Sequence, residues 1–457
     1  MNESSATSIA LTVQLRSLLA QGNALTAGQF QRATGKSQPS ISLALAKLGQ
    51  DVCRLGAARS TRYALVQAIL GLDARQPIHL AAPHTDQGHF GTLTFLGGDQ
   101  IYAQGPRKSE WLAKAAPPWW LSTLRPQGFL GRQFSRLRPD FPSDPELWSM
   151  AQVLYMAARH FSDPPGAFSI GSQVLPLAES AAAIPSVAQA ERGLAFDQLA
   201  DTLVEALPLG SSAGGEQPKF ICHLRAVGDV PGAGGRHVIV KYSPPRGTPF
   251  GERWHVLLQL EHLANQVLAE HGVATAQTEL VHTQRRTYLQ STRFDRIGLA
   301  GKRHVVAASA LHDAFVRAPR RHWVATCQAL AAQKLLATEH VASVASVYIF
   351  GQLIGNSDMH FGNLSFFVDD VTRPALLPTP VYDMLPMKWR PGIHDGALDV
   401  TPVQQQVTPA GFDDQAAQVK AWAIDFWQRA ARLPELSAAL QAAAHASAQR
   451  LINNFAE

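Results

Sequence analysis

The sequence predicts an α+β chain with a small helical front end and basic hairpin, then a strand-rich stretch, then a mostly helical half. Three observations predict it. Apolar residues recur at helical spacing through residues 11–50. From about residue 75 to residue 300 the texture changes to short apolar runs bounded by Gly and Pro. Beyond about residue 303 helical periodicity returns, with an Ala-rich bias over residues 415–447. At 457 residues the chain is too long for one core. A composition 46% hydrophobic and 16% charged excludes a disordered or collagenous chain.

In the front end, LTVQLRSLLAQ (residues 11–21) reads as a first helix. LTAGQFQRATG (residues 25–35) reads as a second, with Thr26 as N-cap and Gly35 as stop. SQPSISLALAKLGQ (residues 37–50) reads as a third, with Ser37 as N-cap and Pro39 in the first turn. Residues 52–65 follow as a hairpin with a Gly-Ala-Ala turn. This is the order of a winged helix-turn-helix. Residues 1–70 hold seven basic side chains against two acidic ones, which is the whole of the chain's formal +5. A basic front on a neutral body points to an anionic partner, DNA, for the front alone. With the third helix in a major groove, Ser37, Gln38, Ser40 and Ser42 are candidates for base contacts. Lys36, Lys47, Arg54, Arg59 and Arg62 are candidates for phosphate contacts. Such a domain is also compatible with a homodimer on palindromic DNA.

In the strand-rich stretch, HFGTLTFL and DQIYAQG read as strands, and residues 106–145, rich in Pro, Arg and Trp, as irregular structure. PKFICHLRAV and HVIVKYS read as two further strands, and residues 254–271 as a helix. In the last half, short strands are expected at residues 365–368 and 379–382. Residues 341–355 are the most apolar run but too short and broken to span a bilayer, which predicts a buried helix. Cys53, Cys222 and Cys327 form no CxxC pattern, so neither a disulfide framework nor a zinc site is expected. The N-terminus lacks a basic start followed by an apolar run, which argues against a signal peptide. A cytoplasmic protein with no membrane partner is expected.

The strongest local signal is GNSDMHFGNLSFF (residues 355–367), followed by PVYDM (residues 380–384). Four residues separate Asp358 from Asn363. A phosphotransferase catalytic loop needs this spacing, because one side chain accepts or orients a hydroxyl proton while the other reaches a metal on the phosphates. Asp383, expected at a strand end, supplies a second oxygen ligand, and magnesium needs few protein ligands. Asp-x4-Asn alone is also the mark of an Asx-capped turn. The apolar helix before it, the strand after it and Asp383 beyond favour the catalytic reading. Upstream, SSAGGEQPKF (residues 211–220) is a Gly-rich segment opening a strand, where Gly214 and Gly215 let backbone N–H groups approach phosphate. Lys219 closes that loop. VIVK then ends in Lys241, positioned to reach the α- and β-phosphates of ATP. Either Glu261 or Glu270 could orient Lys241.

SSAGGEQPKF, VIVK, STRFDR (residues 291–296), GNSDMHFGN and VYDM stand in the order found in HipA-like kinases, toxins of bacterial persistence modules. LRPQGFLGR (residues 124–132) and DPPGAFSIG (residues 163–171) resemble that family's N-terminal subdomain. The chain is most similar to the YjjJ-type branch, which carries its own helix-turn-helix. The resemblance implies a bilobal protein-kinase-like fold, with a strand-rich N-lobe and a helical C-lobe behind the front domain. It implies a Ser/Thr protein kinase using ATP and Mg2+, with Asp358 as base, Asn363 and Asp383 as metal ligands and Lys241 on the phosphates. Arg293, Phe294 and Tyr382 match positions near the nucleotide. Ser211, with Ser212 as its neighbour, matches a loop serine that is autophosphorylated and inactivates the enzyme. The substrate would be a protein Ser or Thr, with an aminoacyl-tRNA synthetase as one candidate. Thr292 stands where the family has an acidic residue.

The expected domains are residues 1–70, 71–180, 181–298 and 299–457. The competing readings are a DNA-binding regulator whose kinase-like body senses a nucleotide, a small-molecule kinase, and a metal-dependent nuclease built on Asp358, His360 and Asp383.

Overall fold

The structure, a computed structural model, describes residues 3–81, 88–161, 163–172, 184–205, 217–225, 235–298, 301–391 and 409–453. The chain divides into two compact units, one of residues 1–127 and 131–176, the other of residues 128–130 and 177–457.

The first unit begins with α1 (Glu3–Leu19), β1 (Leu25–Thr26), α2 (Ala27–Thr34), α3 (Gln38–Leu48), β2 (Val52–Leu55) and β3 (Arg62–Leu65). The strands form an antiparallel sheet in the order β1-β3-β2. Thr26 and Gln29 close a capping box, with Gln29 N–H donating to Thr26 Oγ1 at 3.3 Å and Thr26 N–H to Gln29 Oε1 at 2.8 Å. Gly35 ends α2 at φ 67°, a left-handed turn that glycine adopts without cost. Leu15, Phe30 and Ile41 are fully buried where the three helices meet.

Then come β4 (Arg75–Leu80), β5 (Gly88–Leu96), β6 (Gln100–Gln104), β7 (Glu110–Lys114), α4 (Met150–Arg159) and β8 (Phe168–Ile170). The sheet order is β7-β6-β5-β4-β8. β7 lies inside the stretch expected to be irregular. Its burial alternates residue by residue, a half-buried edge strand that the surrounding Pro and Trp concealed. Helices and sheet share a core within this unit, since Cys53, Leu55, Ala64, Leu96 and Tyr102 cluster together. Gly97 N–H donates to Leu65 O at 2.9 Å. A Cβ on Gly98 would stand 2.2 Å from Gly22 O, so the contact admits only glycine.

The second unit opens with β9 (Ser186–Ala188), α5 (Arg192–Glu205), β10 (Lys219–Arg225), β11 (Arg236–Tyr242), α6 (Pro249–Glu270), β12 (Thr278–His282) and β13 (Thr287–Thr292). The sheet order is β12-β13-β11-β10-β9, with only β9 and β10 parallel. Phe196, Cys222, Val238, Val240 and Tyr288 fill the core beside it. α6 starts earlier than its apolar periodicity suggested, because Thr248 caps it and Pro249 suits the first turn.

There follow β14 (Arg296–Ile297), β15 (Gly301–Lys302), β16 (Val305–Ala307), α7 (Ala308–Phe315), α8 (Trp323–Ala332), α9 (Thr338–Leu353), β17 (Ser365–Val368), β18 (Leu376–Pro378), α10 (Asp413–Ala430) and α11 (Ala438–Asn453). α9 is the predicted buried helix. The strand expected at residues 379–382 instead ends at Pro378, because Pro378 and Pro380 both lack the N–H a ladder needs. Val381 keeps a single bridge, to Thr275. No described helix is long and apolar enough to cross a membrane. All three cysteines are free and buried.

Candidate active site

β11 and α6 bring the first charges together. β11 is apolar up to Lys241, which is 7% exposed. Its ammonium donates to both oxygens of Glu261, at 2.6 and 2.7 Å, and also to Asp383 Oδ1. Glu270 faces elsewhere and pairs with Arg429 at 2.6 Å. The choice left open by the sequence therefore falls on Glu261. Burying a lone ammonium costs several kcal/mol, so the two carboxylates are what keep Lys241 charged there.

The electrostatics follow from that arrangement. Burial disfavours the Lys241 ammonium, but Asp383 and Glu261 outweigh it and push its pKa up. Burial also opposes ionisation of Asp383, yet Lys241, helped by Lys219, holds the carboxyl at about 2. Glu261 goes the other way, pushed up by burial against the pull of Lys241. Lys219 stands directly opposite Lys241 in the β10–β11 ladder.

The segment after α9 forms the second half of the site. Asn356 is buried and bridges it. Its side-chain oxygen accepts the Asp358 N–H at 3.0 Å, and its amide donates to Asp383 O at 3.2 Å. Asp383 has φ 55°, an uncommon left-handed backbone for a residue with a side chain. Asn363 Nδ2 donates to Asp358 O at 2.9 Å. That orientation commits the amide nitrogen and leaves the amide oxygen for another partner. Trp323 Nε1 donates to His360 O at 3.1 Å. The Asp358 carboxylate is half exposed, with His360 Nε2 at 4.0 Å. Tyr382 OH donates to Gly362 O at 2.7 Å and lies 2.7 Å from Ser365 Oγ.

The structure thus joins Lys241, Glu261 and Asp383 directly, and ties Asp358 and Asn363 to them through Asn356. Phe294 packs on Tyr382 and Phe367, with centroids 5.7 and 5.9 Å apart. Arg293 is buried in a fork to Asp295 at 3.0 and 2.9 Å, an ion pair that Arg296 shares. Ser211, Ser212, Gly214 and Gly215 lie outside the described residues. Asn356 completes the arrangement beyond the residues given a role from the sequence. The signal for Asn356 is its place in GNSD, two residues before the aspartate it caps. In the first unit, Lys36, Ser37, Gln38, Ser40, Ser42, Lys47, Arg54 and Arg62 are all exposed. Ser37 also accepts the Ser40 N–H at the start of α3. The Arg59 side chain lies outside the described set.

Among the described residues no three His, Cys, Asp or Glu side chains converge on a metal. A cation here would therefore rest on the Asp383 carboxylate and the Asn363 amide oxygen. Two hard oxygens suit magnesium, which keeps most of its waters.

Residues 211–456 match the HipA-like C-terminal domain family and residues 72–178 the middle domain of the YjjJ-like toxin. Toxin YjjJ of Escherichia coli (strain K12) is 33% identical over 448 residues, covering 94% of this chain and 95% of that protein. Among solved structures, a chain of the Shewanella oneidensis MR-1 complex of HipA, HipB and operator DNA aligns with TM-score 0.50 and 16% identity, over 83% of this chain and 96% of that one. The Helicobacter pylori proinflammatory kinase CtkA aligns with TM-score 0.34 and 11% identity, over 48% and 87%. The Shewanella likeness is one of fold.

Proposed function

The chain belongs to the HipA/YjjJ-type toxin family, and from that premise we propose that it is an ATP- and Mg2+-dependent serine/threonine protein kinase. The observation that carries the proposal is the Lys241 ammonium held between Glu261 and Asp383, with Asn356 joining Asp383 to the Asp358 loop. A purely structural ion pair needs one carboxylate for one ammonium. Here the second carboxylate sits on a residue with a left-handed backbone, joined through Asn356 to the loop of a half-exposed aspartate.

Each side chain then has a task. Lys241 leaves Asp383 and presents its charge to the α- and β-phosphates, while Glu261 keeps it aimed. Asp383 and the Asn363 oxygen hold the metal, which when bound neutralises charge on the phosphate oxygens. Asp358, in contact with solvent, accepts or orients the proton of the substrate hydroxyl. Phe294 and Tyr382 form an apolar edge suited to the adenine, and Lys219 adds charge from β10. Ser211, with Ser212 as second choice, is the proposed autophosphorylation site, where a phosphate would repel those of ATP.

The Shewanella HipA was solved with HipB and operator DNA. In this chain we assign DNA contact to residues 1–70 as a winged helix-turn-helix, followed by divisions at 71–180, 181–298 and 299–457. The support is the surplus of positive charge and the exposure of the α3 N-terminus.

The test is incubation of the whole chain with γ-labelled ATP and Mg2+, with any label mapped by mass spectrometry. Asp358→Ala is expected to lower transfer at least ~100-fold without lowering the melting temperature. Bound but intact ATP, with no label on any protein, would replace the kinase by a nucleotide-sensing regulator.

A further inference from the structure

The second unit contains a cavity of about 420 Å³ lined mostly by residues that the phosphate-transfer reading does not use. α9 supplies His340, Ser343, Val344 and Val347, which the three-and-four spacing places on one helix face. The chain from Leu377 to Tyr382 supplies another wall, and Gln418 and Trp422 of α10 a third. His271 and Trp422 stack there with centroids 4.8 Å apart and planes 11° from parallel. None of Lys241, Glu261, Asp358 or Asp383 lines the cavity, but Asn363 and Tyr382 do. It is therefore a separate space that shares a wall with the candidate active site.

We propose that this cavity is a binding site for a small uncharged aromatic molecule, and that its occupant acts on the active site through Tyr382. Its size is that of a small-ligand pocket. Its lining includes no Asp, Glu, Lys or Arg, so a phosphate, carboxylate or ammonium entering it would lose hydration with no permanent opposite charge in return. Trp323, Tyr382, Trp422 and His271 supply flat faces, and Ser343, Thr379 and Gln418 supply hydrogen-bonding groups. An occupant would also bear on the Tyr382 ring, whose hydroxyl is fastened to Gly362 O one residue before Asn363. Binding stands independently of the kinase reading, and only the effect on phosphate transfer rests on it.

The experiment uses the full chain and two probes, neutral indole and anionic indole-3-acetate, with binding read by saturation-transfer NMR. Ser343→Trp and Gln418→Trp, both at exposed positions, fill the cavity from its rim without repacking the core. The expected result is indole binding that weakens at least tenfold in each variant at unchanged melting temperature, with indole-3-acetate at least tenfold weaker than indole. No indole binding at millimolar concentration, wild-type affinity in both filled variants, or equal affinity for the two probes would overturn the proposal. Where phosphate transfer is detected, saturating indole is expected to change its rate in the wild type and not in Ser343→Trp. A rate that does not respond would remove the coupling to Tyr382.

Discussion

Lys241 is the residue that joins the two carboxylates of the candidate site. Its removal leaves the buried Glu261 and the partly buried Asp383 side by side with only Lys219 near them as counter-charge. Lys241→Met is therefore expected to cost ~3–5 kcal/mol of stability, read by urea denaturation, whereas the double variant with Glu261→Gln recovers part of it. His255 makes a pH prediction. It is 1% exposed, bonded to Thr287 Oγ1 and within 2.9 Å of Gln259 Nε2. Burial, with the nearby Arg246 charge, lowers its pKa from 6.5 to about 4. Between those values the unfolded chain carries a proton that the folded chain refuses. Its contribution is whole above pH 6.5 and is lost as the pH falls toward 4. One such group gives a slope of ~1.4 kcal/mol per pH unit, and His255→Leu is expected to flatten denaturation measured at pH 5 and pH 7 by that amount. At this scale the sequence was readable where partners are close along the chain, as in Asp-x4-Asn. It was silent where they are far apart. Asn356 reaches Asp383 across 27 positions, and no local pattern announces that. Glu261 and Glu270 lie two and a half helical turns apart, so on opposite faces, and only packing says which face meets β11.

Among the elements, those with chemical punctuation were placed well. Thr26, Gly35 and Ser37 bound α2 and α3 as their side chains and conformations require. Thr26→Ala removes the Oγ1 that accepts the Gln29 N–H, leaves the backbone N–H that donates to Gln29 Oε1, and is expected to cost about 1 kcal/mol, measured by urea denaturation of the whole chain. The helices α4 and α5 and the interior strands β4 and β13 had no counterpart in the sequence reading, and two further strands were displaced or missed at the margins of sheets. β7 hid in a Trp- and Pro-rich stretch, because β-propensity depends on what a strand packs against. β18 moved forward because Pro380 interrupts the ladder. That shift frees residues 379–383 from regular pairing, which is how Asp383 can take a left-handed backbone at all.

For the whole molecule, the front helices are not a separate bead. Leu96 and Tyr102 of the second sheet complete a core with Cys53, Leu55 and Ala64. A cut near residue 70 would expose those side chains, so DNA binding is best measured on the intact chain. The affinity is expected to fall with salt, and Lys36→Ala or Arg54→Ala to reduce the slope of log K against log salt by about one each. A slope indifferent to both would end the assignment of those residues to phosphate. The buried cysteines have a practical consequence. Burial pushes Cys53 up to about 11 and Cys222 and Cys327 up to about 12. A folded molecule therefore offers almost no thiolate, and alkylating reagents can reach these sulfurs only when the surrounding structure opens. With one thiol on β2, one on β10 and one on α8, the order in which peptides acquire the label becomes a clock for which part of the protein breathes first.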